Sequence, residues 1–207
     1  MEKNSSTKNI MYVGALAILI LIAGAVMFLY YTQPFEEEIS FKNSMNFADI
    51  DYTMTTNYNN VQVVSHANIR IGTLKLSNEG YFSQTYAFPQ LFGCIKFSTD
   101  TENSHVAERQ ANVVFKSVSG EQTNIYNGYK LEIPVGDKKI YNMTAEYNTY
   151  DKSLDYFRTN RPTSLSIYEI PSKERNPLGD IDNYDYNSYL DCNNVGSKKP
   201  LKVIEIN

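Results

Sequence analysis

The sequence predicts an all-β fold, an antiparallel sandwich, behind one N-terminal transmembrane helix. Three observations carry this. Residues 11–31 read MYVGALAILILIAGAVMFLYY, with no charged residue and no proline. Beyond them, about eight short runs of alternating apolar and polar residues recur between turn signals, with no helical periodicity in between. The composition agrees: 17 Tyr, 10 Phe, no Trp and abundant Asn favour strands and turns over helices.

The apolar run is long enough to cross a bilayer. At ~1.5 Å per residue it reaches ~31 Å as a helix, about one hydrocarbon core. In lipid the backbone must satisfy its own hydrogen bonds, which a helix does. The flank before it holds Lys3 and Lys8 against Glu2, and the flank after it holds Glu36, Glu37 and Glu38. Basic residues favour the cytoplasmic side, so residues 1–10 are expected inside and residues 32–207 outside. Tyr12 at the inner end and Tyr30 and Tyr31 at the outer end suit the headgroup layers. A cleaved signal peptide has a shorter apolar core and a small-residue cleavage site. Here Thr32, Gln33, Pro34 and Phe35 follow instead, with no cysteine for lipidation, so an uncleaved signal anchor is expected. Gly14 and Gly24 are too far apart for a G-x-x-x-G dimer face.

Residues 32–47 read as a juxtamembrane stalk. Pro34 stops the helix, the acidic triplet reads as a solvated spacer, and Ile39, Ser40 and Phe41 open an alternation. Residues 48–207 are the exterior domain. In residues 48–56, Ile50, Tyr52 and Met54 share one face of a half-buried strand, and the Asn-rich stretch to Asn60 turns. In residues 61–77, Ile69 and Ile71 share one parity and Leu74 and Leu76 the other. A strand changes parity only through an extra residue, so a β-bulge is expected at Gly72 and Thr73. Ser77, Asn78, Glu79 and Gly80 form a tight turn. Residues 81–88 and 91–97 are two short strands around Pro89. Residues 106–118 are another, with Ala111, Val113 and Phe115 alternating. Tyr129, Leu131, Ile133 and Val135 alternate, Gly136 and Asp137 turn, and residues 138–150 return with Tyr141, Met143, Ala145 and Tyr147 on one face. This is the strongest hairpin signal in the chain. Residues 164–170 are a strand and residues 171–199 mostly loop. Leu201, Val203 and Ile206 close the chain as a last strand.

Residues 74–147 resemble the immunoglobulin-like ectodomains of prokaryotic surface proteins. In that family a strand ends in an Asn-x-Gly turn, here Asn78-Glu79-Gly80, and a later strand in a Pro-Gly-type turn, here Ile133-Pro134-Val135-Gly136. The resemblance implies an immunoglobulin-like β-sandwich and no site.

The residue inventory argues against catalysis. The chain has two histidines, His66 and His105, no G-x-S-x-G elbow and no glycine-rich phosphate loop. Its two cysteines, Cys94 and Cys192, are too few for a zinc site. In an oxidising compartment they are expected to bridge, closing a loop of about 100 residues at about 4–5 kcal/mol in the chain-entropy model. His105 and Glu108 have ligand chemistry but a helical spacing in a region that reads as loop and strand. No cofactor is expected. The one candidate ion is calcium at Asp180, Asp182, Asn183 and Asp185, an oxygen-rich cluster that breaks the EF-hand pattern and reads more simply as a solvated loop. Tyr184, Tyr186 and Tyr189 interleave with those acids and make this loop the preferred contact surface for a protein or glycan partner. Asn142-Met143-Thr144 is a glycosylation sequon.

Charge narrows the partners. With 19 basic and 23 acidic residues the formal net charge is −4. Lys3 and Lys8 against Glu2 give the first 31 residues +1, so the remainder, with 17 basic and 22 acidic residues, carries −5. An acidic surface does not suit nucleic acid or anionic lipid. The expected protein is a membrane-anchored surface protein with a non-catalytic β-sandwich, a structural, adhesive or accessory subunit of an envelope complex. The lipid bilayer is its partner through residues 11–31. A pilin-like filament subunit is the alternative, although a glutamate near the start of the apolar run is missing. An exterior hydrolase is the weakest reading.

Overall fold

The structure is a computed structural model that describes residues 3–57, 59–98, 110–119, 125–126, 129–170, 192, 195 and 198–207. Helix α1 runs Lys3–Thr32. The strands are β1 (Phe35–Phe41), β2 (Ser44–Met45), β3 (Asp51–Thr56), β4 (Gln62–Asn78), β5 (Gln84–Ala87), β6 (Leu91–Phe97), β7 (Gln110–Ser117), β8 (Ile125–Tyr126), β9 (Lys130–Ile133), β10 (Lys138–Lys152), β11 (Pro162–Glu169) and β12 (Lys202–Ile206). A short helix α2, Leu154–Thr159, joins β10 to β11.

The chain is mostly β, as its composition predicts. Ten strands form one sheet in the order β1-β4-β10-β7-β6-β11-β12-β2, with β3 beside β4 and β8 beside β7; β5 and β9 form a separate ribbon. The sheet is mixed, because β12 and β2 run parallel while every other pair is antiparallel. It curls until its ends meet. Only Lys42 and Asn43 separate β1 at one end from β2 at the other. The Lys42 amide donates to Ile71 of β4 at 2.8 Å, and Asn43 accepts from the Glu205 amide of β12 at 3.2 Å. One bent segment therefore bonds to both ends, and the curl encloses one core.

That core is filled by the faces read from alternation. Ala111, Val113 and Phe115 of β7, and Tyr141, Met143, Ala145 and Tyr147 of β10, are all buried. Phe88, fully buried just after β5, touches the rings of Phe115, Tyr141 and Tyr86 at centroid distances of 5.0, 5.1 and 5.2 Å. Offset ring pairs of this kind add to the area they bury. The expected bulge is present one position earlier. Gly72 pairs with Met143 and Arg70 with Thr144, which leaves Ile71 as the extra residue. The insertion lets Ile69, Ile71, Leu74 and Leu76 all be buried despite their opposite parities.

Four expectations differ from what is found. Residues 138–150 do not return along residues 129–135. The turn between them exists, with the Asp137 amide donating to Pro134 at 3.2 Å and Gly136 at φ +80. However, β9 pairs with β5, and β10 lies between β4 and β7. Length decides this: β10 has 15 residues, β4 offers it 17, and β9 only four. The expected stalk is part of the sheet, since β1 pairs along its whole length with β4, from Phe35 opposite Asn78 to Phe41 opposite Gly72. In β12 the buried residues are Ile204 and Ile206, while Val203 faces out. Helix α2 went unanticipated; Ser153 caps it by accepting from the Tyr156 amide, and Phe157 anchors it in the core.

Candidate functional site

Polar and aromatic side chains converge where α1 enters the domain. The helix's membrane-length part is Tyr12–Thr32, in which an 18-residue window has a mean hydropathy of 2.6 and no buried residue. The helix ends where the Thr32 hydroxyl donates to the Phe28 carbonyl at 2.7 Å, with Pro34 just beyond. Between them Gln33 is buried, and its Oε1 accepts from the backbone amides of Tyr81 and Phe82 at 3.1 and 2.9 Å. Gly80 makes the approach feasible, because a Cβ there would lie 2.6 Å from Gln33 Oε1. One turn earlier, the rings of Tyr30 and Phe82 meet at 5.9 Å. On β1, Phe35 stacks on Tyr86, whose hydroxyl donates to Glu37 at 2.7 Å. Burial, reinforced by the Glu37 carboxylate, pushes the Tyr86 phenol pKa well above its ordinary value, so it stays a donor.

Asn78 is the knot behind this junction. It is fully buried at the end of β4. Its Nδ2 donates to the Phe82 carbonyl at 2.9 Å and the Ile133 carbonyl at 2.8 Å, and its Oδ1 accepts from the Gly80 amide at 3.0 Å. Its backbone accepts from Gly136 and donates to Asp137. The two turns that carry the resemblance, 78–80 and 133–136, are thus tied into one rigid end. Asn78→Ala would remove all three side-chain bonds. It is expected to lower the unfolding free energy by about 2 kcal/mol, read from urea unfolding of the full chain in detergent. Unchanged stability would mean that the backbone alone holds the turns.

The other candidates are placed as follows. Cys94, on β6, is bonded to Cys192, with Cα atoms 5.6 Å apart. Asn142 stands mid-sheet in β10 between Thr73 and Lys116 rather than on a loop. It is half-buried, and its Oδ1 is enclosed without a partner among the described residues. Asp180, Asp182, Asn183 and Asp185, the contact tyrosines Tyr184, Tyr186 and Tyr189, and His105 and Glu108 lie outside the described residues. Among the described residues no three His, Cys, Asp or Glu side chains gather as metal ligands. An apolar cavity of about 10 Å³, lined by Tyr52, Ile69, Phe97, Tyr147 and Phe157, is about the size of one water and too small for a substrate. Burial there pushes the Tyr52 phenol up to about 12.

Sequence reasoning missed Gln33, the side-chain role of Asn78 and the Glu37–Tyr86 contact. Their partners lie 48, 55 and 49 residues away along the chain. The one local signal was glycine at position 80, read as a turn residue only. Comparison with protein-family models, with curated proteins and with solved structures finds no match to this chain.

Proposed function

We propose that this chain is a single-pass, membrane-anchored surface protein. Its α1 spans the bilayer with the N-terminus inside, and its β domain stands outside as a non-catalytic structural, adhesive or accessory subunit with a protein or glycan partner. One observation carries the reading. No residue in the apolar 18-residue window of Tyr12–Thr32 is buried by the domain, while the β core is filled without the segment. Each large aliphatic side chain left in water forfeits about 1.5–3 kcal/mol, so the segment belongs in lipid. Lys3 and Lys8 before it and the acidic triplet after it support the orientation. The disulfide fits an oxidising exterior. The immunoglobulin-like relation is supported by the two turns alone.

Two treatments of intact cells test this. Alkaline carbonate is expected to leave the protein in the membrane pellet, and external protease to digest it beyond residue 32. Release by carbonate would overturn the anchor. Protection from protease until the cells are opened would overturn the orientation.

A further inference from the structure

We infer that the turn at residues 79–82 sits in the headgroup layer of the bilayer that α1 spans. The domain would then rest on zwitterionic lipid through Tyr81 and Phe82 instead of standing off on a stalk. This depends on the reading of α1 as an anchor. Crossing ~30 Å of hydrocarbon takes ~20 residues, so Tyr12–Thr32, at 21, has almost no length to spare. Tyr30 to Thr32 therefore lie at the outer boundary. The bilayer adds only ~5–8 Å of headgroup region on each side of the hydrocarbon. Phe82 touches Tyr30 at 5.9 Å, and the Tyr81 and Phe82 amides bond to Gln33, the residue just after the helix. The turn falls within that layer.

Its chemistry suits the place. Tyr81 is 68 % exposed and Tyr31 82 %, although tyrosine rings commonly seek cover. At headgroup depth the ring meets acyl chain and the hydroxyl stays wet. The charged neighbours choose the lipid. Glu79 pairs with Lys138 at 3.2 Å and Glu38 with Lys75 at 3.0 Å, which leaves Glu36 and Glu37 at the start of β1 as the acids nearest the helix exit. That surface disfavours anionic headgroups and leaves phosphatidylcholine-like or phosphatidylethanolamine-like lipid. Asn78 holds the turn in place, so the contact is built into the fold.

The absence of tryptophan supplies the test. Single-tryptophan versions of the full chain would be reconstituted in phosphatidylcholine vesicles carrying bromine near the headgroup end of the acyl chain. Three positions suffice: Tyr81→Trp at the turn, Tyr30→Trp on the helix, and Val61→Trp beside the far end of β4, ~50 Å along the strand from Asn78. Tyr30→Trp and Tyr81→Trp are expected to be quenched at least about twofold, as interfacial aromatic residues, and Val61→Trp left bright. Quenching at Tyr30→Trp without quenching at Tyr81→Trp would overturn the inference and leave the anchor standing. No quenching at either would remove the anchor as well. Equal quenching at Val61→Trp and Tyr81→Trp would mean a domain lying flat, which also overturns a contact through the turn.

Discussion

Converting Cys94 and Cys192 to alanine is expected to lower the unfolding free energy by about 4 kcal/mol, the largest single effect foreseen for this chain. The bridge joins residues 98 apart. Fixing so long a loop removes that freedom from the unfolded chain, and the chain-entropy model places the gain between 4 and 5 kcal/mol, as about an upper figure. A domain is typically stable by only about 5–15 kcal/mol, so the bridge would supply a large share. Position strengthens the case. Cys94 is paired across β6 with Ser166 of β11 on one side and Gln110 of β7 on the other. The bond therefore ties the segment ahead of β12 to the middle of the sheet. Urea unfolding of the full chain in detergent, with and without reductant, measures the difference. The reduced wild type and the double alanine variant should then coincide. A loss under about 1 kcal/mol would mean that other contacts already constrain the loop in the unfolded ensemble, as happens for some engineered bridges.

Local signals were readable wherever the physics was local. The parity switch between Ile71 and Leu74 announced a bulge, because a two-residue period cannot bury both sets otherwise. Tyr141 to Tyr147 announced one buried face of β10, and that face is buried. Partners were harder. The turn at residues 134–137 was read correctly, but a turn does not oblige its flanking strands to pair, and β4 outcompeted β9 through its length. Strand β1 was hidden by its own sequence. All five residues between Phe35 and Phe41 are exposed and three of them are glutamates, so the alternation at Ile39, Ser40 and Phe41 does not extend back over the strand. Charge on an outer strand is a common guard against unwanted pairing, and in a sequence it looks the same as a linker. The junction at Gln33 was illegible for the same reason, since its hydrogen-bond partners depend on β1 running beside β4.

Gly72→Ala is expected to cost about 3 kcal/mol, an overpacking penalty at the high end for one methyl group. The reason is not the torsion of the glycine. It is the space beside it, where a Cβ would lie 2.1 Å from the Ser40 carbonyl oxygen, 2.9 Å from Met143 Cε and 3.0 Å from Phe41 Cα. A methionine end can move, but two of these three contacts are backbone of β1. Relief would require β1 to shift from β4 at the bulge, and β1 carries Phe35 and Glu37 toward the end where α1 is fastened. Gly24→Ala is the matched control, because a Cβ at that helical position meets nothing within 4 Å. The control should leave the unfolding of the β domain unchanged, whereas Gly72→Ala lowers its urea midpoint. Amide exchange should then rise first along residues 35–41 and their partners in β4. If Gly72→Ala unfolds like the control, β1 does not press on the bulge, and the link from helix to sheet is a looser one.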